Sequence, residues 1–157
     1  MDLTGDELAG VVDLFGCLTR AELDRAVEEL AYKRGDDHDA DAVAAAVEAA
    51  LDSYHLVAVK TDFDTPDDRP VLVAGPVAFP ALPDGATDLP HIMDVPDRSL
   101  DDETVVAAAR ESLEEDALAA VEAGDTARAA RLVDVSYDLE AWGSTDASDL
   151  REILDRV

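Results

Sequence analysis

The sequence is poor in lysine, cysteine and aromatic residues. Lys33 and Lys60 are the only lysines, Cys17 is the only cysteine, and aromatic residues make up 4% of the chain. A single cysteine excludes an internal disulfide bond and any zinc site built from several cysteines. No apolar run approaches the length of a membrane span, and the acidic N-terminus lacks the apolar stretch of a signal peptide. These absences predict a soluble, cytoplasmic protein that does not enter a membrane.

Acidic residues are what the chain has in excess, with 38 Asp and Glu against 12 Lys and Arg and a net charge of −26. The acids alternate with regularly spaced Ala, Val and Leu, whereas disordered acidic chains lack apolar periodicity. We therefore expect a folded protein with an acidic surface. Such a surface suits molar salt, where the Debye length falls to about 3 Å and self-repulsion is screened. The composition is typical of a protein from an extremely halophilic archaeon with a cytoplasm rich in potassium chloride.

The strongest local signal is a helix between Thr19 and Gly35. Thr19 and Glu22 have the spacing of a capping box, an apolar stripe follows them, and Gly35 provides a left-handed stop. The same signals predict a helix before it, between Thr4 and Gly16, and another after it that runs to about Tyr54. The residues from Gly16 to Leu18 form either a tight connection or a stub of strand.

The periodicity changes after the third helix. Leu56–Lys60 and Val71–Ala74 are short runs rich in β-branched residues, and the turn-forming residues between them predict a β-hairpin. Residues 75–97 contain five prolines, which forbid a long helix. Their apolar side chains are expected to hold this segment against both halves of the chain.

A long helix, a tight turn at Gly124–Asp125, a second helix and a short final helix complete the predicted order. The fold class is therefore α+β and mostly helical, with a C-terminal helical hairpin. The predicted organisation has three parts: a first domain of three helices and a hairpin (1–80), a proline-rich crossing segment (81–97) and a C-terminal helical domain (98–157).

Three helices followed by a hairpin is the order of elements in a winged-helix domain. The N-terminal half resembles this family in GCLTRAEL, which enters the second helix, and in DSYHLVAVK, which joins the third helix to the first strand. The resemblance implies DNA binding, with the third helix in the major groove and the hairpin on the backbone. The whole chain also resembles uncharacterised acidic proteins of halophilic archaea, a family to which no activity is attached.

The charges argue against DNA binding. The third helix, residues 41–54, has no Arg or Lys, and the tip of the hairpin is acidic at Asp62, Asp64, Asp67 and Asp68. Neutralisation of phosphates supplies most non-specific affinity for DNA, so this surface should be repelled. The candidate DNA contacts are on the basic side of the second helix, where ion pairing on a helix surface also explains them. They are Arg20, Arg25, Lys33 and Arg34.

The sequence has no glycine-rich phosphate loop, no GxSxG and no GxGxxG, and it shows no catalytic constellation. His38, His55 and His91 lie far apart, and none has a second ligand at i+4. The pattern around His38 favours a plain solvated loop. A cation bound by His38 together with Asp36 or Asp37 is the alternative. Cys17 is expected to be a small core residue. We expect no catalytic, cofactor or metal site, and a protein that is not an enzyme.

The sequence therefore favours an interaction or regulatory protein that contacts another protein or a second copy of itself. A winged-helix transcriptional regulator is the alternative, and an enzyme that uses residues 76–97 as a lid is a third hypothesis without catalytic residues. The candidate protein contacts are apolar residues of 76–96 together with the single tryptophan. They are Phe79, Leu82, Leu89, Ile92, Met93 and Trp142.

Overall fold

The capped helices that the sequence predicts are present in the computed structural model, which describes residues 2–61 and 70–157. Helix α1 spans Gly5–Phe15 and helix α2 spans Arg20–Arg34. Both begin with a capping box, formed by Thr4 with Glu7 and by Thr19 with Glu22. Gly35 ends α2 in the left-handed conformation with φ of 70°, as its sequence position predicts.

Helix α3 spans Ala40–Asp52 and starts at Asp39, whose side chain accepts hydrogen bonds from the first amides of the helix. It ends slightly before the predicted position because Tyr54 has a φ of 65° and turns the chain into the first strand. The Tyr54 side chain is buried, so the packing of its ring compensates for an unfavourable backbone conformation.

The predicted hairpin consists of β1, Leu56–Val59, and β2, Val71–Ala74, which pair antiparallel. Leu18 adds a short bridge to this sheet through two backbone hydrogen bonds with Leu72, of 3.1 and 2.7 Å. Of the two interpretations left open for the connection between α1 and α2, the stub of strand is therefore confirmed. The acidic residues expected at the hairpin tip fall in 62–69, outside the described residues.

Residues 75–97, which include the predicted crossing segment (81–97) and are called the proline-rich segment from here on, contain only short regular pieces. A 3₁₀ turn at Ala86–Asp88 leads into α4, Leu89–Ile92, which accommodates Pro90 near its start. Proline is tolerated in the first turn of a helix because the amide there has no intrahelical acceptor. The prolines limit helix length as predicted, although the sequence pattern did not show these two turns.

The C-terminal helices are α5, Asp102–Ala123, α6, Thr126–Gly143, and α7, Ser148–Leu154. Gly124 ends α5 with φ of 63°, and the side chain of the next residue, Asp125, caps α6. The turn between α5 and α6 is therefore the one predicted. The buried residues of α6 are Ala129, Leu132, Val135, Ser136 and Leu139, while Val133 is only half buried.

The chain divides into two compact units, Met1–Leu100 and Asp101–Val157. The first unit has a core built from α1, α2, α3 and the hairpin, and the proline-rich segment adds Ala86, Leu89 and Met93 to it. In the second unit, α5, α6 and α7 pack on one another. The α+β, mostly helical fold class is confirmed. The expected contact of the proline-rich segment with the C-terminal half stays a prediction.

Within residues 2–61 and 70–157, no helix combines the length and the apolar character needed to cross a membrane.

Candidate functional site

The start of the proline-rich segment is attached to helix α1. The amide of Phe79 donates to Asp6 Oδ1 at 2.9 Å, and the amide of Ala81 donates to the Asp6 carbonyl at 3.0 Å. The Ala81 backbone also lies directly against Gly10, where any side chain would overlap it. Glycine at this position therefore allows the segment to lie close to the helix.

The middle of the segment is attached to the C-terminal end of helix α2. Lys33 donates to the Gly85 carbonyl at 3.2 Å and lies 3.6 Å from the Asp88 carboxylate, while Arg34 donates to the Asp84 carbonyl at 3.4 Å. These contacts place the cations of the last helical turn against carbonyl and carboxylate oxygens. The backbone of the segment is thus held at both helices.

The apolar residues of the segment divide into two groups. Leu89 and Met93, four residues apart, are buried in the core of the first unit and anchor the segment. Phe79 is 82% exposed, and Leu82 and Ile92 are each 48% exposed. We call these last three the exposed apolar side chains of the segment. Trp142, on α6 of the second unit, is 39% exposed.

The exposed apolar side chains project from a backbone that is fixed on one side by hydrogen bonds and buried anchors. Large apolar groups on an ordered backbone lose little conformational entropy when a partner covers them. Chemically, this arrangement suits the binding of an apolar surface.

A family profile described as "Family of unknown function (DUF7109)" matches residues 6–157. The chain belongs to the DUF7109 family. Comparison with curated proteins and with solved structures finds no match. The matched range includes both compact units, so the DUF7109 family covers the first unit with its proline-rich segment as well as the helical second unit. The expected resemblance of the chain to a protein family without known activity is confirmed.

In this DUF7109 protein, a buried ion pair fixes the chain just after the proline-rich segment. Arg98 donates to both carboxylate oxygens of Glu22, at 2.6 and 3.0 Å, and the two side chains are only 6% and 11% exposed. Glu22 Oε1 also accepts from the Thr19 amide at 2.9 Å. Burial alone would raise the pKa of Glu22, but the hydrogen bonds from Arg98 and Thr19 outweigh it and hold the pKa below its usual value. The pair therefore connects residue 98 to the start of α2.

Cys17 lies beside this ion pair and is buried. Burial raises the pKa of its thiol, although the neighbouring Arg98 opposes the shift. A raised pKa keeps the sulfur protonated at neutral pH, and the thiol is a poor nucleophile. In this DUF7109 protein Cys17 is a core residue, as its sequence position predicts.

The basic side of α2 is largely occupied by contacts within the DUF7109 chain. Arg20 pairs with Glu48 of α3 at 3.2 Å, and Lys33 and Arg34 hold the proline-rich segment. Arg25 is exposed and has no ion-pair partner among the described residues. Three of the four candidate DNA contacts therefore have a structural role that requires no nucleic acid.

One cluster of side chains in this DUF7109 chain has the composition of a metal site. His38 lies against Asp24 and Glu28 of α2, rather than against its chain neighbours Asp36 or Asp37. The sequence pattern indicated Asp36 or Asp37, the neighbours of the histidine in the chain, and did not indicate this set. The available signal was the i, i+4 spacing of Asp24 and Glu28, which places both carboxylates on one face of a helix.

Proposed function

We propose that this DUF7109 protein is a non-enzymatic interaction or regulatory protein. It acts by contacting another protein, or a second copy of itself, through Phe79, Leu82 and Ile92. The observation that carries the proposal is that the backbone bearing these side chains is fixed to Asp6 of α1 and to α2 while the side chains themselves face solvent. Aromatic residues such as phenylalanine are enriched in protein interfaces relative to the rest of the surface.

Burial of these side chains would contribute substantially to the free energy of association. Complete burial of one such side chain is worth about 1.5–3 kcal/mol. Since Leu82 and Ile92 are already half buried, the three together offer about 3–5 kcal/mol. That amount, gained without ordering a loop, offsets a substantial part of the rotational and translational cost of association.

The acidic surface supports an apolar rather than an electrostatic contact. With a net charge of −26, this chain repels other acidic proteins in dilute buffer. We propose that it works in the potassium-rich cytoplasm of a halophilic archaeon, where the Debye length of about 3 Å removes this repulsion. The same screening removes long-range attraction, so apolar anchors must supply most of the affinity.

The test compares residues of equal exposure inside and outside the proposed surface. Phe79→Ser and Tyr32→Ser each change an aromatic side chain that is 82% exposed. Both variants are examined in molar potassium chloride by sedimentation equilibrium, which reports self-association, and by affinity capture, which reports a heterologous partner. Leu82→Ser and Leu118→Ser, each at a residue 48% exposed, form a second matched pair.

We expect Phe79→Ser and Leu82→Ser to weaken the complex at least tenfold, while Tyr32→Ser and Leu118→Ser leave it unchanged. Equal effects of the two members of each pair would contradict the proposal. So would a monomeric wild-type chain that captures no protein, because the surface would then have no occupant.

DNA binding is the alternative function. Two observations support it: the order of elements in the first unit, which is that of a winged-helix domain, and the Leu18–Leu72 bridge. We propose that the first unit has a winged-helix fold. Contacts within the chain already occupy three of the basic side chains, Arg20, Lys33 and Arg34, which disfavours their binding to DNA phosphates. We expect no measurable retention on DNA at moderate salt. Sequence-specific retention that Arg25→Gln weakens would reverse this ranking.

A further inference from the structure

We draw no further inference here: the strongest candidate, the groove between α2 and α3 that Val43 and Val47 line, has charged side chains at its edges that already pair within the chain, Arg20 with Glu48 and Asp24 with His38, and nothing in the described part of the structure shows what covers it.

Discussion

The ion pair between Arg98 and Glu22 provides the clearest prediction of stability, because both charged side chains are almost fully buried. Arg98→Met keeps most of the side-chain volume and removes the guanidinium group. The Glu22 carboxylate then remains buried with the Thr19 amide as its remaining hydrogen-bond donor at 2.9 Å. Removal of one partner of a buried pair costs about 3–5 kcal/mol, because the other charge is left without compensation.

The exposed pair of Arg20 with Glu48 is the matched control. It forms one contact of 3.2 Å, and its side chains are 28% and 64% exposed. Pairs of this kind contribute about 0–1 kcal/mol, because water screens the charges and two flexible side chains must be ordered. Arg20→Met applies the same chemical change in the same unit, so it should lower the free energy of unfolding by less than about 1 kcal/mol.

The assay is urea unfolding in molar potassium chloride, followed by circular dichroism. Trp142 fluorescence is recorded in parallel, because the single tryptophan lies in the second unit and reports that unit. Adding Glu22→Gln to Arg98→Met should recover part of the loss, since the uncompensated charge disappears. If Arg98→Met lowers the free energy of unfolding no more than Arg20→Met does, or if the added Glu22→Gln lowers it further, the buried ion pair does not stabilise the fold in this way.

Three further predictions follow from the contacts of the first unit and from the charge of the chain. Gly10→Ala should destabilise the protein by about 1–3 kcal/mol despite the higher helix propensity of alanine, because a methyl group overlaps the Ala81 backbone. Faster proteolysis near residue 81 and a lower urea midpoint check this, and an unchanged midpoint contradicts it. The lowered pKa of Glu22 contributes stability that is complete above the ordinary carboxyl pKa of about 4.3 and is lost as pH falls through the lowered value. Acidification should therefore destabilise the wild-type chain more than Glu22→Gln, and parallel pH profiles would argue against it. With a net charge of −26, the melting temperature should rise steeply from dilute buffer to molar potassium chloride, and a flat profile would remove the argument for salt adaptation.

The helices could be predicted because their signals are local. The capping boxes at Thr4 and Thr19 and the stop at Gly35 each depend on residues within one or two turns, and the structure has them at the expected positions. The pairing of Leu18 with Leu72 could only be left open, because it joins residues far apart in sequence.

The division of the proline-rich segment into anchors and exposed residues was not predictable in this way. Without a helical or strand period, the pattern does not show that Leu89 faces the core while Phe79 faces solvent. The partner of Arg98 lies 76 residues away, and nothing near either residue indicates the pair. The carboxylate neighbours of His38 could not be predicted either, because they come from the preceding helix rather than from its own loop.

Site-specific photo-crosslinking shows whether Phe79 lies in a protein contact. A photoreactive phenylalanine analogue replaces Phe79 in one sample and Tyr32 in another, two positions of equal exposure. Both samples are irradiated in molar potassium chloride, as purified protein and in an extract of the source cells. A protein contact at Phe79 predicts a discrete crosslinked species from position 79 and none from position 32. Equal yields at the two positions, or no product from position 79, would contradict it.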